Sequence, residues 1–133
     1  MLNRNKKLKA IGFEPVKRTW KIAKANAALN NMDERITVVN IALSDYKSIN
    51  HMKCSQYSCG GAYIVTSDTN SYNLEEIYTI SLDEWIRESE FDINKISYLW
   101  IDTEGYEGYV IRGMMKLLKQ KKYLCIWNII QNF

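Results

Sequence analysis

Apolar and polar positions alternate along the chain with two different periods. Leu8 to Glu14 is short, mostly apolar and stops at Pro15, which predicts a strand. Pro15 fits the first turn of a helix, where its missing N–H is no loss. From Lys17 to Asn30, the residues Trp20, Ala23 and Ala27 fall on one helical face, with Lys17, Lys21 and Lys24 elsewhere. Asn30-Asn31 supplies a stop. Ile36 to Leu43 is β-branched and mostly apolar, the pattern of a buried strand. Ser44 to Asn50 is turn-rich.

His51 to Asn73 is the least legible stretch. Cys59-Gly60-Gly61 signals a turn, Tyr63-Ile64-Val65 a brief strand, and Ser67 to Asn73 a polar loop. Ile77 to Ile80 reads as a short strand. Ser81 then has the look of an N-cap, and Glu84 three residues later completes a capping box. The helix Leu82 to Glu90 buries Leu82, Trp85 and Ile86. Ile96 to Ile101 is a strand apolar on both faces that ends at Asp102. Val110, Ile111, Met114, Leu117 and Leu118 recur at helical spacing, with Lys119, Lys121 and Lys122 near the helix end, where cations suit its dipole. Tyr123 to Ile130 is a final buried strand. This alternation predicts an α/β fold: a mostly parallel sheet with helices on both faces.

Composition narrows the class. The chain has 133 residues, 47% apolar and 25% charged, which predicts one folded domain over residues 1–133. A net charge of +3 is too mild for a nucleic-acid binder, which usually needs a concentrated basic stripe as well as an excess of charge. The basic start is followed by an apolar stretch broken at Lys9, Gly12 and Glu14, unlike a signal peptide. The run Tyr123 to Ile130 is interrupted by Asn128 and falls far below the roughly 20 residues of a membrane span. Cys54, Cys59 and Cys125 match no zinc pattern, so free thiols in a reducing, cytoplasmic compartment are the expectation.

In open α/β sheets, ligands sit beyond the carboxyl ends of the strands. Three polar groups stand at such ends: Glu14, Ser44-Asp45, and the run Asp102-Thr103-Glu104-Gly105-Tyr106-Glu107. Glu14 either accepts hydrogen bonds from ribose hydroxyls or stabilises the start of the next helix. Asp102 and Glu104 side by side raise the proton affinity of at least one of them, which suits a general base. The same acids suit an oxygen-ligand site for magnesium or calcium together with Glu107. Alternatively, Glu104 and Glu107 place negative charge in the first turn of the next helix, with Gly105 serving tight packing. His51, the single histidine, reads as a solvated loop residue. Cys54 and Cys59 read as packing or loop residues. Tyr57, Tyr63, Tyr72 and Tyr78 either line a substrate face or cap the core. No phosphate-loop, nucleophile-elbow or zinc-helix motif occurs.

Four blocks carry a family resemblance. Ile11-Gly12-Phe13-Glu14-Pro15, with Asn26 and Leu29-Asn30, and then Asn40-Ile41-Ala42-Leu43-Ser44-Asp45, resemble the second-strand to third-strand region of FkbM-type methyltransferases. Thr79-Ile80-Ser81-Leu82-Asp83-Glu84-Trp85-Ile86 resembles the family's segment centred on Leu-Asp. Ile101-Asp102-Thr103-Glu104-Gly105-Tyr106-Glu107, followed by Val110-Ile111-x-Gly113, is similar to its acidic signature. The resemblance implies a Rossmann-like, class I methyltransferase fold and methyl transfer from S-adenosylmethionine to a hydroxyl oxygen of a sugar or secondary metabolite. It implies that Glu14 holds the cofactor ribose, that Ala42, Ser44 and Asp45 border the adenine, and that Asp102 and Glu104 face the reacting methyl and the acceptor.

The chain departs from the family pattern at both ends. The glycine-rich first-strand turn is absent, and the clustered Gly60-Gly61 lie elsewhere. The missing strand would lie between the strands ending at Glu14 and Asp102, leaving two interior edges open to direct pairing, self-association or a complementing chain. Cys125 to Gln131 lacks the expected acid, and the last two strands are absent. The expectation is an incomplete domain, either part of a longer or split product or an inactive remnant, with weak or absent cofactor binding on its own. The competing reading is a non-catalytic, protein-binding module whose acidic cluster is structural.

Overall fold

The computed structural model describes residues 2, 5–53, 63–65, 74–103, 105–120 and 125–127. They fall into two compact units, Met1–Ala42 with Asn50–Tyr78, and Leu43–Ile49 with Thr79–Phe133. In the first unit, strand β1 (Ala10–Phe13) leads through helix α1 (Lys17–Leu29) to β2 (Ile36–Val39). β1 and β2 pair in parallel, Ala10 opposite Ile36 and Phe13 opposite Val39. The helix lies against β2 because its apolar stripe must be covered: Ala27 is buried, and the Trp20 indole N–H donates to the Val38 carbonyl at 2.8 Å. A half-buried indole thereby keeps its partner.

Pro15 lies ahead of α1 instead of in its first turn, and Val16 is the N-cap without a capping side chain. The exposed amides at this end are satisfied from elsewhere: Glu14 Oε1 accepts from Val16 N, and Glu75 Oε1 from Lys17 N, both at 2.8 Å. Asn30 is the C-cap, and Asn31 takes the left-handed conformation at φ 53°. The stop predicted from the Asn pair is present.

The single strand expected over Ile36 to Leu43 is two strands. After β2 the chain bends at Asn40 and Ile41 and resumes as β3 (Ala42–Ser44) in a different sheet. The cause is Asn40, whose side-chain amide donates to the carbonyls of Glu14 and Pro15 at 2.9 and 2.8 Å. Hydrogen bonding to the neighbouring turn competes with continuing the ladder.

The brief strand expected at Tyr63-Ile64-Val65 is β5 (Tyr63–Val65), and it pairs antiparallel with β4 (Ser48–Lys53), which begins inside the segment read as turn-rich. His51 is an exposed strand residue opposite Val65, not a loop residue. With β3 and β6 (Leu74–Ser81), they form a four-stranded sheet in the order β3-β6-β4-β5. β6 runs beyond the expected Ile77–Ile80, burying Ile77, Thr79 and Ile80 while Tyr78 is exposed. Tyr78 therefore does not cap the core. Cys54, Cys59, Gly60, Gly61, Tyr57 and Tyr72 lie outside the described residues.

The second unit continues from β6 into α2 (Leu82–Glu88), a short 3₁₀ turn (Ile93–Lys95), β7 (Tyr98–Trp100), α3 (Glu107–Arg112), α4 (Met115–Gln120) and β8 (Cys125–Trp127). β7 and β8 pair in parallel, Tyr98 opposite Cys125. The expectation of one mostly parallel sheet is therefore corrected among the described residues. Two separate parallel pairs accompany a sheet that includes an antiparallel pair. β7 is also less buried than its composition implied, since Trp100 is 60% exposed.

Ser81 caps α2 as predicted, its hydroxyl accepting from Glu84 N at 3.2 Å. The Glu84 carboxylate is used differently from a capping box and pairs with Arg87 at 3.1 Å. The long helix expected from Val110 to Leu118 is two short ones, α3 and α4, broken at Gly113 and Met114. Its apolar residues still reach the core: Val110, Met114 and Leu117 are buried with Ile101 and Leu82. The second helix can start where it does because Asp83 supplies its cap. The Asp83 carboxylate accepts from Lys116 N at 2.8 Å and Leu117 N at 2.9 Å. Asp83→Ala is expected to lower stability by about 1–2 kcal/mol, and Asp83→Asn by less, in urea denaturation. An unchanged midpoint for Asp83→Ala would mean the cap contributes nothing.

Candidate active site

Glu14 leaves β1 in ladder register, its amide donating to the Val39 carbonyl at 3.0 Å. The side chain is half-buried beside the start of α1. Burial pushes its carboxyl above the usual carboxylate range, and the nearby Glu75 adds to the rise against the lowering effect of the Val16 amide. One of the Glu14 oxygens accepts from the Val16 amide just ahead of α1, and a carboxylate retains lone pairs for further donors. Asn40 holds the same corner through the Glu14 and Pro15 carbonyls. Ala42, another predicted cofactor residue, is buried at the start of β3.

In the second unit, Ser44 ends β3 and Asp45 follows it, so these residues stand at the tip of a mixed-sheet strand and not of parallel β2. Ser44 is completely buried. Its hydroxyl lies 3.0 Å from the Tyr106 hydroxyl and 3.2 Å from Asp45 Oδ1. Arg112 donates from Nε to Asp45 Oδ2 at 3.1 Å. Burial works to raise the Asp45 carboxyl, but bonds from Arg112, its own amide and Ser44 outweigh it and hold the group below its usual range. Asp45 is a fixed anion. Tyr106 stacks on Tyr109 with ring centroids 4.3 Å apart, and the Arg112 guanidinium covers Tyr109 at 4.4 Å. Burial raises the Tyr106 phenol, so it stays a neutral hydrogen-bonding group. Asp45 and Arg112 also line an open cleft of about 500 Å³.

The acidic loop divides into two roles. Asp102 is exposed, following the buried Ile101 at the end of β7. Glu104 lies outside the described residues. Glu107 turns inward and is 8% exposed. Its Oε1 accepts from Thr103 N at 2.8 Å, Thr103 Oγ1 at 3.0 Å and Gly105 N at 3.2 Å. Burial alone would raise this carboxyl, yet its own amide and the bonds from Thr103 and Gly105 hold it below the ordinary value. Glu107 ties the loop into one conformation. Gly105 takes φ +95° with nothing within 4 Å of a built Cβ, so backbone conformation, not tight packing, requires glycine there.

Ser44 and Asp45 are thus brought to the acidic loop by Tyr106 and to the end of α3 by Arg112. Sequence reasoning missed Tyr106, Arg112 and the capping role of Asp83. These are partners distant in the chain, and no local spacing announces them. Glu107 did carry a local signal, four residues after a threonine with a glycine between them. No three His, Cys, Asp or Glu side chains gather as a metal site among the described residues. Nor is any described helix long and apolar enough to cross a membrane.

The sequence matches the family model described as the Methyltransferase FkbM domain over residues 1–131. A search of curated proteins finds no match. Among solved structures, the fold is similar to the crystal structure of Methyltransferase FkbM from Methylobacillus flagellatus KT, with a TM-score of 0.54 and 16% sequence identity. The comparison covers 89% of this chain and 25% of that one, so the present chain corresponds to about a quarter of that structure. A match running through almost every residue, on an α/β framework shared with that structure, establishes that the chain belongs to the FkbM methyltransferase domain family.

Proposed function

We propose that the chain takes part in methyl transfer from S-adenosylmethionine to a hydroxyl oxygen of a sugar or secondary metabolite. The family match over residues 1–131 carries this reading. The chemistry of the donor set supports it. Glu14 is a half-buried carboxylate at a strand end, able to accept from two vicinal hydroxyls. Asp45 is an oriented anion beside buried Ala42 and Ser44, suited to accept from an exocyclic amine. Bound S-adenosylmethionine would supply an activated methyl whose leaving group departs without a proton. The chain's own residues then have limited tasks: orienting donor and acceptor, excluding water, and taking the hydroxyl proton. Asp102, exposed at the end of β7, is the carboxylate assigned to the proton, with Glu104 beside it in sequence.

A titration with S-adenosylhomocysteine at millimolar concentration, followed by NMR, tests the reading. Saturable amide shifts are expected at Glu14, Val16 and Ala42 to Asp45, with affinity weakened about tenfold in Glu14→Gln, as for loss of a charge-assisted pair of hydrogen bonds. Absence of shifts in the unsubstituted chain would overturn it for this chain and leave the inactive-remnant reading. A second reading, a non-catalytic module, is favoured by one observation: Glu107 is committed to the loop's own amides. Asp102→Asn with Glu104→Gln separates the two. Under the enzyme reading methyl transfer in a complemented or full-length context is lost with the fold intact, and under the module reading the fold and partner binding are unchanged.

A further inference from the structure

Three consecutive features of one short helix bear on one turn. Tyr106, the N-cap of α3, reaches the Ser44 hydroxyl at 3.0 Å. Arg112, the last residue of α3, holds Asp45 at 3.1 Å. Gly113, the C-cap, lies so close to the Ser44 backbone that a Cβ there would run into the Ser44 carbonyl oxygen. The Tyr106–Tyr109 stack and the Arg112 guanidinium over Tyr109 brace these groups against one another. At its other side, the same helix start carries Glu107, which gathers Thr103 and Gly105 around one carboxylate oxygen. The turn at 44–45 is therefore held at both ends of α3, and the loop at 102–107 runs into the start of the same helix. The bonds from Tyr106 to Ser44 and from Arg112 to Asp45 cross between the two segments, α3 and the turn. A displacement of Asp45 must be taken up by Arg112, and a displacement of Ser44 by Tyr106.

From this geometry we infer that Tyr106 and Arg112 are positioning residues that lock the Ser44–Asp45 turn to the acidic loop, so that a nucleoside held at the turn sets the conformation of the loop carrying Asp102. The inference rests on the proposed cofactor reading and deepens it. Energetic coupling requires an element whose arrangement both sites bias, and here that element is α3 with its bonded side chains. The Arg112–Asp45 bond is charge-assisted but exposed, while the Ser44–Tyr106 bond is part-buried.

The test uses adenosine, which has no methionine arm with which to touch the acidic loop directly. In the unsubstituted 133-residue chain, millimolar adenosine is expected to shift the amides of Ala42 to Asp45 and also those of Thr103 and Gly105. In Tyr106→Phe combined with Arg112→Gln, the turn still responds, while the loop shifts fall by about fivefold, the low end of measured coupling between sites. Arg112→Lys in the Tyr106→Phe background restores part of the loop response, because a cation again faces Asp45. If the double variant does not fold, Tyr106→Phe alone decides, since it keeps the ring stack and removes only the hydroxyl. Loop shifts unchanged in the variant overturn the inference, as do turn shifts without loop shifts in the unsubstituted chain, and both leave the cofactor reading standing. No shift at the turn in the unsubstituted chain removes the cofactor reading and this inference together.

Discussion

Gly113→Ala is expected to destabilise the protein by about 3 kcal/mol or more, a loss at the upper end for overpacking because the opposing atoms are backbone. Gly113 has φ −72° and ψ −5°, a conformation any residue adopts, so no torsional argument enters. The obstacle is steric. A Cβ at this position meets the Ser44 carbonyl oxygen, comes within 2.9 Å of the Ser44 carbonyl carbon and lies 3.2 Å from Ser81 Cβ. Ser44 cannot retreat easily, being fully buried and bonded to Tyr106 and Asp45. Gly108→Ala in the same region is the control. Its Cβ would meet only the end of the Arg112 side chain at 3.7 Å, and replacing a helical glycine stabilises by roughly 0.5–1 kcal/mol. Urea denaturation of both variants reads the contrast. Equal midpoints would show that α3 and the Ser44 turn are not packed as described.

Glu107→Gln should be the most damaging change in the acidic run, with a loss of about 2–3 kcal/mol at pH 7. The carboxylate takes three donors on one oxygen in a buried position, and the amide replaces an acceptor-only group with one that also presents N–H donors to them. The effect should depend on pH in a defined direction. The folded-state carboxyl lies below the ordinary value of 4.5, so its stabilising contribution is fully present above that value and is lost as pH falls through the depressed one. The gap between the unsubstituted protein and Glu107→Gln therefore narrows in acid. A gap that stays constant or widens below pH 4.5 would refute the assignment of Glu107 as the loop's anionic anchor. The same substitution series places Asp102 apart from Glu107, since Asp102 is exposed and its loss should leave stability nearly unchanged.

The contrast among the acids shows where sequence reading stops. Charge alone does not say which of Asp102, Glu104 and Glu107 turns inward from the strand end. Burial separates Glu107 from Asp102, and burial is set by how the loop turns at Gly105. Asp83 was legible as part of a family block, yet its use as the cap of α4 required a residue 33 positions away to arrive beside it. The pairing of Asp45 with Arg112, 67 positions apart, was equally beyond local pattern.

What the amino-acid order determined by itself is the set of short-range decisions. Strand and helix periods, the Asn30-Asn31 stop, the Ser81 cap and the four family blocks follow from interactions within one or two turns of chain, which nearby residues dictate. Tertiary structure alone decided the breaks at Asn40 and Gly113, the separation into a mixed sheet and parallel pairs, and the use of each carboxylate. Each of those outcomes depends on which distant backbone amide, carbonyl or cation meets a side chain. Hydrogen bonds and steric contacts act over a few ångströms in space, whatever the separation along the chain.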